Sequence, residues 1–109
     1  MKKVLFIFAI IISLEGFAQE NKITGEWKMY KIEINGETKN MNEVVIFEPD
    51  KDIIMRDNFF GTWNYNKKEN KLEQKMLYNQ KMSGVYKIKK ITTTQMVLEK
   101  NKVIVYYKK

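Results

Sequence analysis

Cysteine and histidine are both missing from the 109-residue sequence, and proline and arginine occur once each, as Pro49 and Arg56. Without cysteine there is no disulfide framework, no thiolate metal site, no thiol nucleophile and no lipid-modified N-terminal cysteine. Without histidine the chain lacks the commonest general base and the commonest metal ligand. Alanine is nearly absent too: Ala9 and Ala18 are the only two, and both fall within the first eighteen positions. At this length the chain is one domain at most.

Those first eighteen positions differ in kind from the rest. Met1, Lys2 and Lys3 make a short cationic start, Val4 to Leu14 is apolar except for Ser13, and Gly16 and Ala18 supply small residues before Gln19. This is the three-part layout of a cleaved secretory signal peptide over residues 1–18. A spanning helix needs roughly twenty apolar residues, and the run here is cut off by Glu15. The expectation is an exported protein, periplasmic or secreted, with no membrane span after cleavage and a single domain over residues 19–109.

In residues 19–109 the apolar side chains are branched or aromatic: nine Ile, six Val and eleven aromatics stand against three Leu (Leu72, Leu77 and Leu98) and no Ala. Branched and aromatic side chains pack well on a pleated sheet and are restricted on a helix. Short apolar segments alternate with turn signals, among them Asn35-Gly36, Pro49-Asp50, Asp57-Asn58 and Asn101-Lys102. Eight strands are predicted: 25–34, 43–47, 52–56, 59–65, 71–76, 84–91, 95–100 and 103–108, with a polar loop over 37–42. Phe59, Gly61, Trp63 and Tyr65 are expected on one face. Connections of two to six residues permit antiparallel neighbours only. An all-β antiparallel up-and-down meander of eight short strands then closes into a barrel, which removes both exposed edges.

Gly25-Glu26-Trp27, opening the first strand just after the signal segment, resembles the Gly-x-Trp motif that begins lipocalins. Gly61-Thr62-Trp63, with the charged turn and Lys71-Leu72-Glu73 after it, looks like the middle of the small secreted lipocalin-like proteins of Bacteroidetes, and Gly84-Val85-Tyr86 repeats Gly-x-aromatic a third time. The resemblance implies a lipocalin-like barrel with Trp27 as a packing plug at a closed end and an open end that admits a small apolar ligand. It also departs from the classical pattern. The Thr-Asp-Tyr motif is absent, the chain is short, and no late arginine is present to lie over the tryptophan, leaving Lys100 or Lys108 as substitutes.

The candidate ligand-binding residues are Phe59, Trp63, Tyr65, Tyr86 and Met96, with Gly25, Trp27, Gly61 and Gly84 as structural motif positions. Met41, Met76, Leu77, Tyr78 and Met82 lie in or near irregular connections, where apolar side chains form either a mouth or an end cap. The acids Glu48, Asp50, Asp52 and Asp57 gather around one turn, but their spacing fits no calcium loop. No metal site, cofactor or catalytic constellation is expected, and the chain reads as a non-enzyme. The basic excess is almost entirely Lys, where nucleic-acid binding calls for Arg and aromatics interleaved on one face. The leading expectation is a binding protein for a small apolar or amphipathic molecule. The alternative is an envelope protein-interaction or inhibitor module that works through barrel loops over a filled interior, and a weaker third reading is retention on an acidic polymer.

Overall fold

The computed structural model describes residues 20–78 and 80–109. The signal-peptide expectation over residues 1–18 lies outside them. Eight strands follow in chain order: β1 Gly25–Ile34, β2 Glu37–Phe47, β3 Asp52–Met55, β4 Asn58–Asn66, β5 Lys71–Met76, β6 Gly84–Ile91, β7 Gln95–Lys100 and β8 Val103–Lys108. Each pairs antiparallel with its neighbour, and β8 returns to β1 to close the barrel. Closure gives every strand two neighbours, although residues 37–44 of β2 pair with β1 alone and β3 meets only Val45–Phe47.

Two local details differ from the sequence expectation, and both have physical reasons. Residues 37–42 continue β2 rather than forming a polar loop, with Ile34 paired to Glu37 and Lys31 to Asn40. The two-residue turn Asn35-Gly36, with φ of 53° and 84°, matches the twist of a tight hairpin and pairs the strands at once. The exposed polar side chains of that stretch suit a strand whose outer face meets water. In β4 a bulge places one extra residue opposite the Ile53–Ile54 step, because Ile53 pairs with Gly61 while Ile54 pairs with Phe59. A one-residue slip exchanges the two faces of a strand. Phe60 therefore turns towards the core, and Phe59 is left 42% exposed.

The β2–β3, β4–β5 and β6–β7 turns share one end of the barrel with the start of β1; the β1–β2, β3–β4, β5–β6 and β7–β8 connections share the other. The first end is sealed by a helical turn over residues 20–23. From it Ile23 enters the interior fully buried, and its carbonyl accepts a 2.7 Å hydrogen bond from Trp27 Nε1. Above this plug Phe47 packs edge-on against Trp63 and Tyr107, at centroid distances of 5.9 and 6.0 Å. Gly61 allows a close approach of β4 and β5: a Cβ there would sit 2.1 Å from the Lys75 carbonyl oxygen.

The opposite end carries a second version of the same device. Residues 22–29 (KITGEWKM) and 81–88 (KMSGVYKI) match in residue type at nearly every position. The turn Gln80–Met82 precedes β6 as the helical turn precedes β1. The Tyr86 hydroxyl donates to the Met82 carbonyl at 2.7 Å, four residues back, as Trp27 does to Ile23. In each copy a lysine from the neighbouring strand end crosses the glycine and reaches the ring two residues on. Lys109 Nζ is 4.6 Å from the Trp27 ring and Lys100 Nζ is 5.6 Å from the Tyr86 ring. Their ammonium groups donate to the carbonyls of Thr24 and Ser83, the residues just before each glycine. The lysine over Trp27 is thus Lys109, not Lys100 or Lys108; Lys108 covers Tyr30 instead.

Candidate functional site

Inward positions of the strands, read from the sealed end upward, pass from large aromatics to methionines. β1 contributes Met29 and Ile32, β2 Met41, Glu43 and Val45, β3 Met55, β4 Phe60, and β5 Gln74 and Met76. With Met82 and Tyr107 they enclose a cavity of about 200 Å³ whose lining is overwhelmingly apolar. Five of the chain's seven methionines lie in this wall. Methionine is unbranched and polarisable, so a wall built from it adapts to varied apolar shapes. The cavity lies above the Phe47–Trp63–Tyr107 aromatic layer and reaches towards the end that carries Met82.

The polar content of the wall is small and divided between two heights. Near the mouth Glu43 forms an ion pair with Arg56, which raises the guanidinium pKa further through hydrogen bonding and charge. Deeper, Gln74 is only 3% exposed and is the one buried polar side chain among the described residues. It interacts with the Tyr107 hydroxyl. Burial pushes that hydroxyl far above the ordinary tyrosine range, and the Gln74 contact draws it partly back. Tyr86 is likewise raised, to about 12, by burial.

The predicted ligand residues occupy other places. Trp63 is buried in the sealed end, donating from Nε1 to the Glu48 carbonyl at 3.0 Å beneath Lys51, whose Nζ is 4.3 Å from the ring. Tyr65 is half-buried at the same end, its hydroxyl donating to Asn70 Oδ1. Met96 is fully buried and pairs across the ladder with Tyr107. Tyr86 is buried beneath Lys100, and Phe59 points outward because of the bulge. None of the five lines the cavity. Phe60, not Phe59, faces the cavity, and Met41, Met76 and Met82 line the wall, while Leu77 and Tyr78 stay exposed. Of the five methionines in the wall, Met41, Met76 and Met82 were singled out in the sequence and Met29 and Met55 were not, although methionine recurs at inward positions of β1, β2, β3 and β5.

Other candidate chemistry is dispersed. Glu48, Asp50 and Asp52 lie at the sealed end, whereas Asp57 sits in the β3–β4 turn at the opposite one, so the four acids do not share a turn. Among the described residues no group of three or more His, Cys, Asp or Glu is placed to hold a metal ion. Five lysines, Lys31, Lys51, Lys100, Lys108 and Lys109, each lie over an aromatic ring.

No family model and no curated protein matches the sequence. The backbone is similar to the crystal structure of a lipocalin-like protein from Bacteroides uniformis ATCC 8492, with a TM-score of 0.58 at 11% identity; the superposition covers 81% of this chain and 98% of that one. At that identity the likeness is one of fold, and the fold is a lipocalin-like barrel.

Proposed function

We propose that this barrel is an exported binding protein that holds one small apolar or amphipathic molecule in the methionine-walled cavity. The observation that carries the reading is the cavity itself: an apolar space of about 200 Å³, sealed below by an aromatic floor and approached from the opposite end. The interaction-module alternative called for a filled interior, and this interior is not filled. The space is below the roughly 300 Å³ at which drug-sized pockets begin and above the roughly 150 Å³ of an engineered apolar cavity that binds benzene. The fitting occupant is a single ring, a short chain, or one end of a longer amphiphile. Export rests on the signal-peptide pattern over residues 1–18, and an N-terminus at Gln19 in the mature protein is its direct check.

Calorimetric titration of the exported, delipidated protein with small aromatics, medium-chain alcohols, fatty acids and quinones tests the reading. Saturable one-to-one binding by at least one class is expected, and it should disappear when the cavity is filled by mutation. Silence across all of these classes removes the carrier function.

A further inference from the structure

Gln74 stands where the period-two pattern of β5 calls for an apolar side chain, between the inward-facing Leu72 and Met76. Burying an amide among apolar groups is costly unless its hydrogen bonds are made. A glutamine side chain offers two N–H donors and a carbonyl with two lone pairs. The Tyr107 hydroxyl lies close enough to act on it, and among the described residues no side-chain hydrogen bond completes the set. Both side chains line the cavity. The floor of an otherwise apolar space therefore presents a donor and an acceptor side by side, with hydrogen-bonding capacity to spare.

The charge around this pair narrows what can meet it. Among the described residues the cavity wall contains no cation, and its one charged group is Glu43, already paired with Arg56. A ligand carboxylate entering the cavity would lose its hydration without gaining a counter-charge, and it would pass Glu43 on the way in. A ligand ammonium would gain no carboxylate at the floor. The Tyr107 hydroxyl keeps its proton throughout the physiological range, so it remains a donor. A hydroxyl can donate to the Gln74 carbonyl and accept from the amide or from Tyr107 in one position.

We propose that the cavity selects a small apolar molecule bearing one uncharged hydroxyl, a phenol or alcohol, whose oxygen is read by Gln74 and Tyr107. This rests on the binding reading above and adds the identity of the ligand's polar group.

Three probes of one shape separate the two claims: toluene, p-cresol and p-toluate, titrated calorimetrically into the exported protein. A purely apolar cavity favours toluene, because the cresol hydroxyl gives up its water bonds for nothing. The Gln74–Tyr107 pair predicts the reverse order, with p-cresol binding at least tenfold tighter than toluene and p-toluate showing no binding. Toluene binding as tightly as p-cresol or tighter overturns the hydroxyl selection and leaves apolar binding standing. It would also mean that an ordered water alone satisfies Gln74. If none of the three binds, the binding reading falls, and the selection with it. Gln74→Leu keeps the size of the side chain and removes both hydrogen-bonding functions, so its order should revert to toluene over p-cresol. Tyr107→Phe should shift the order in the same direction and serves if Gln74→Leu does not fold. A variant that folds and retains the full p-cresol preference overturns the assignment of the reading groups.

Discussion

The two ends of this barrel are built from the same short pattern and finished differently. At the sealed end, Ile23 is fully buried beneath Trp27, and Lys109 closes over the indole. At the other end the corresponding residues are Met82, Tyr86 and Lys100, and the turn Gln80–Met82 buries none of its side chains completely. The hydrogen bond from ring to carbonyl and the lysine over the ring are retained in both. What changes is the filling: an isoleucine and a tryptophan leave no space, whereas a half-buried methionine stands over an apolar cavity. The comparison teaches that one local device can close a barrel or merely cover it. The side chain that precedes the glycine by two positions decides which.

The largest expected difference is in stability. Ile23→Ala at the sealed end should cost about 3 kcal/mol, within the range for a buried isoleucine that leaves an unfilled hole. Met82→Ala, which enlarges an existing space, should cost about 1 kcal/mol. Chemical denaturation measures both, and equal losses would break the distinction between the ends. A smaller contrast comes from adding volume. Val45→Phe projects into the cavity and should change stability by less than about 1 kcal/mol while abolishing toluene binding. Leu72→Phe, in the packed region below, should cost about 1–3 kcal/mol through overpacking. If both insertions are equally tolerated, the sealed end is not packed as described.

The third contrast appears only at high pH, because the pattern places a tyrosine at one end and a tryptophan at the other. Folding holds Tyr86 neutral, with its pKa raised to about 12, against about 10 in an unfolded chain. The raised value means that the unfolded state loses this proton first. The associated stability is intact below pH 10 and is lost as pH rises towards 12. Ionisation also removes the hydrogen bond to the Met82 carbonyl. Amide exchange around Met82 should therefore accelerate above pH 10 before exchange around Ile23 does. Tyr86→Phe should remove that pH dependence, and loosening of both ends in parallel would count against it.

Much of the architecture was legible because it depends on local chemistry. Asn35-Gly36 announces a tight hairpin, the branched and aromatic composition favours strands, and short connections force antiparallel order. The β4 bulge was not legible, since Phe59 and Phe60 are the same residue and only pairing with β3 decides which one turns inward. The length of β2 was hidden as well. Its outer half is polar apart from Met41, so alternation barely marks a face there. The candidate residues lie away from the cavity for a related reason: period-two patterns give the face of a strand but not its height in the barrel. Trp63, Tyr65 and Met96 were correctly placed inward, yet they lie in the sealed end rather than in the cavity wall. Lys100 reaches Tyr86 across the adjacent β6–β7 pair, but Lys109, just past β8, lies 82 residues from Trp27 and meets it only because β8 closes onto β1.

That closure also governs how the protein must be assembled. Neighbouring strands are joined by short turns and can zip as hairpins within microseconds, but β1 meets β8 across separations of about 70 to 80 residues. Contacts of such long range are slow to form, because the chain loses loop entropy before it gains packing. Until the seam closes, β1 and β8 both present unpaired backbone to solvent, and neighbouring unfinished chains can pair with them. The step that finishes the barrel is therefore also the step at which crowding during folding would be most damaging.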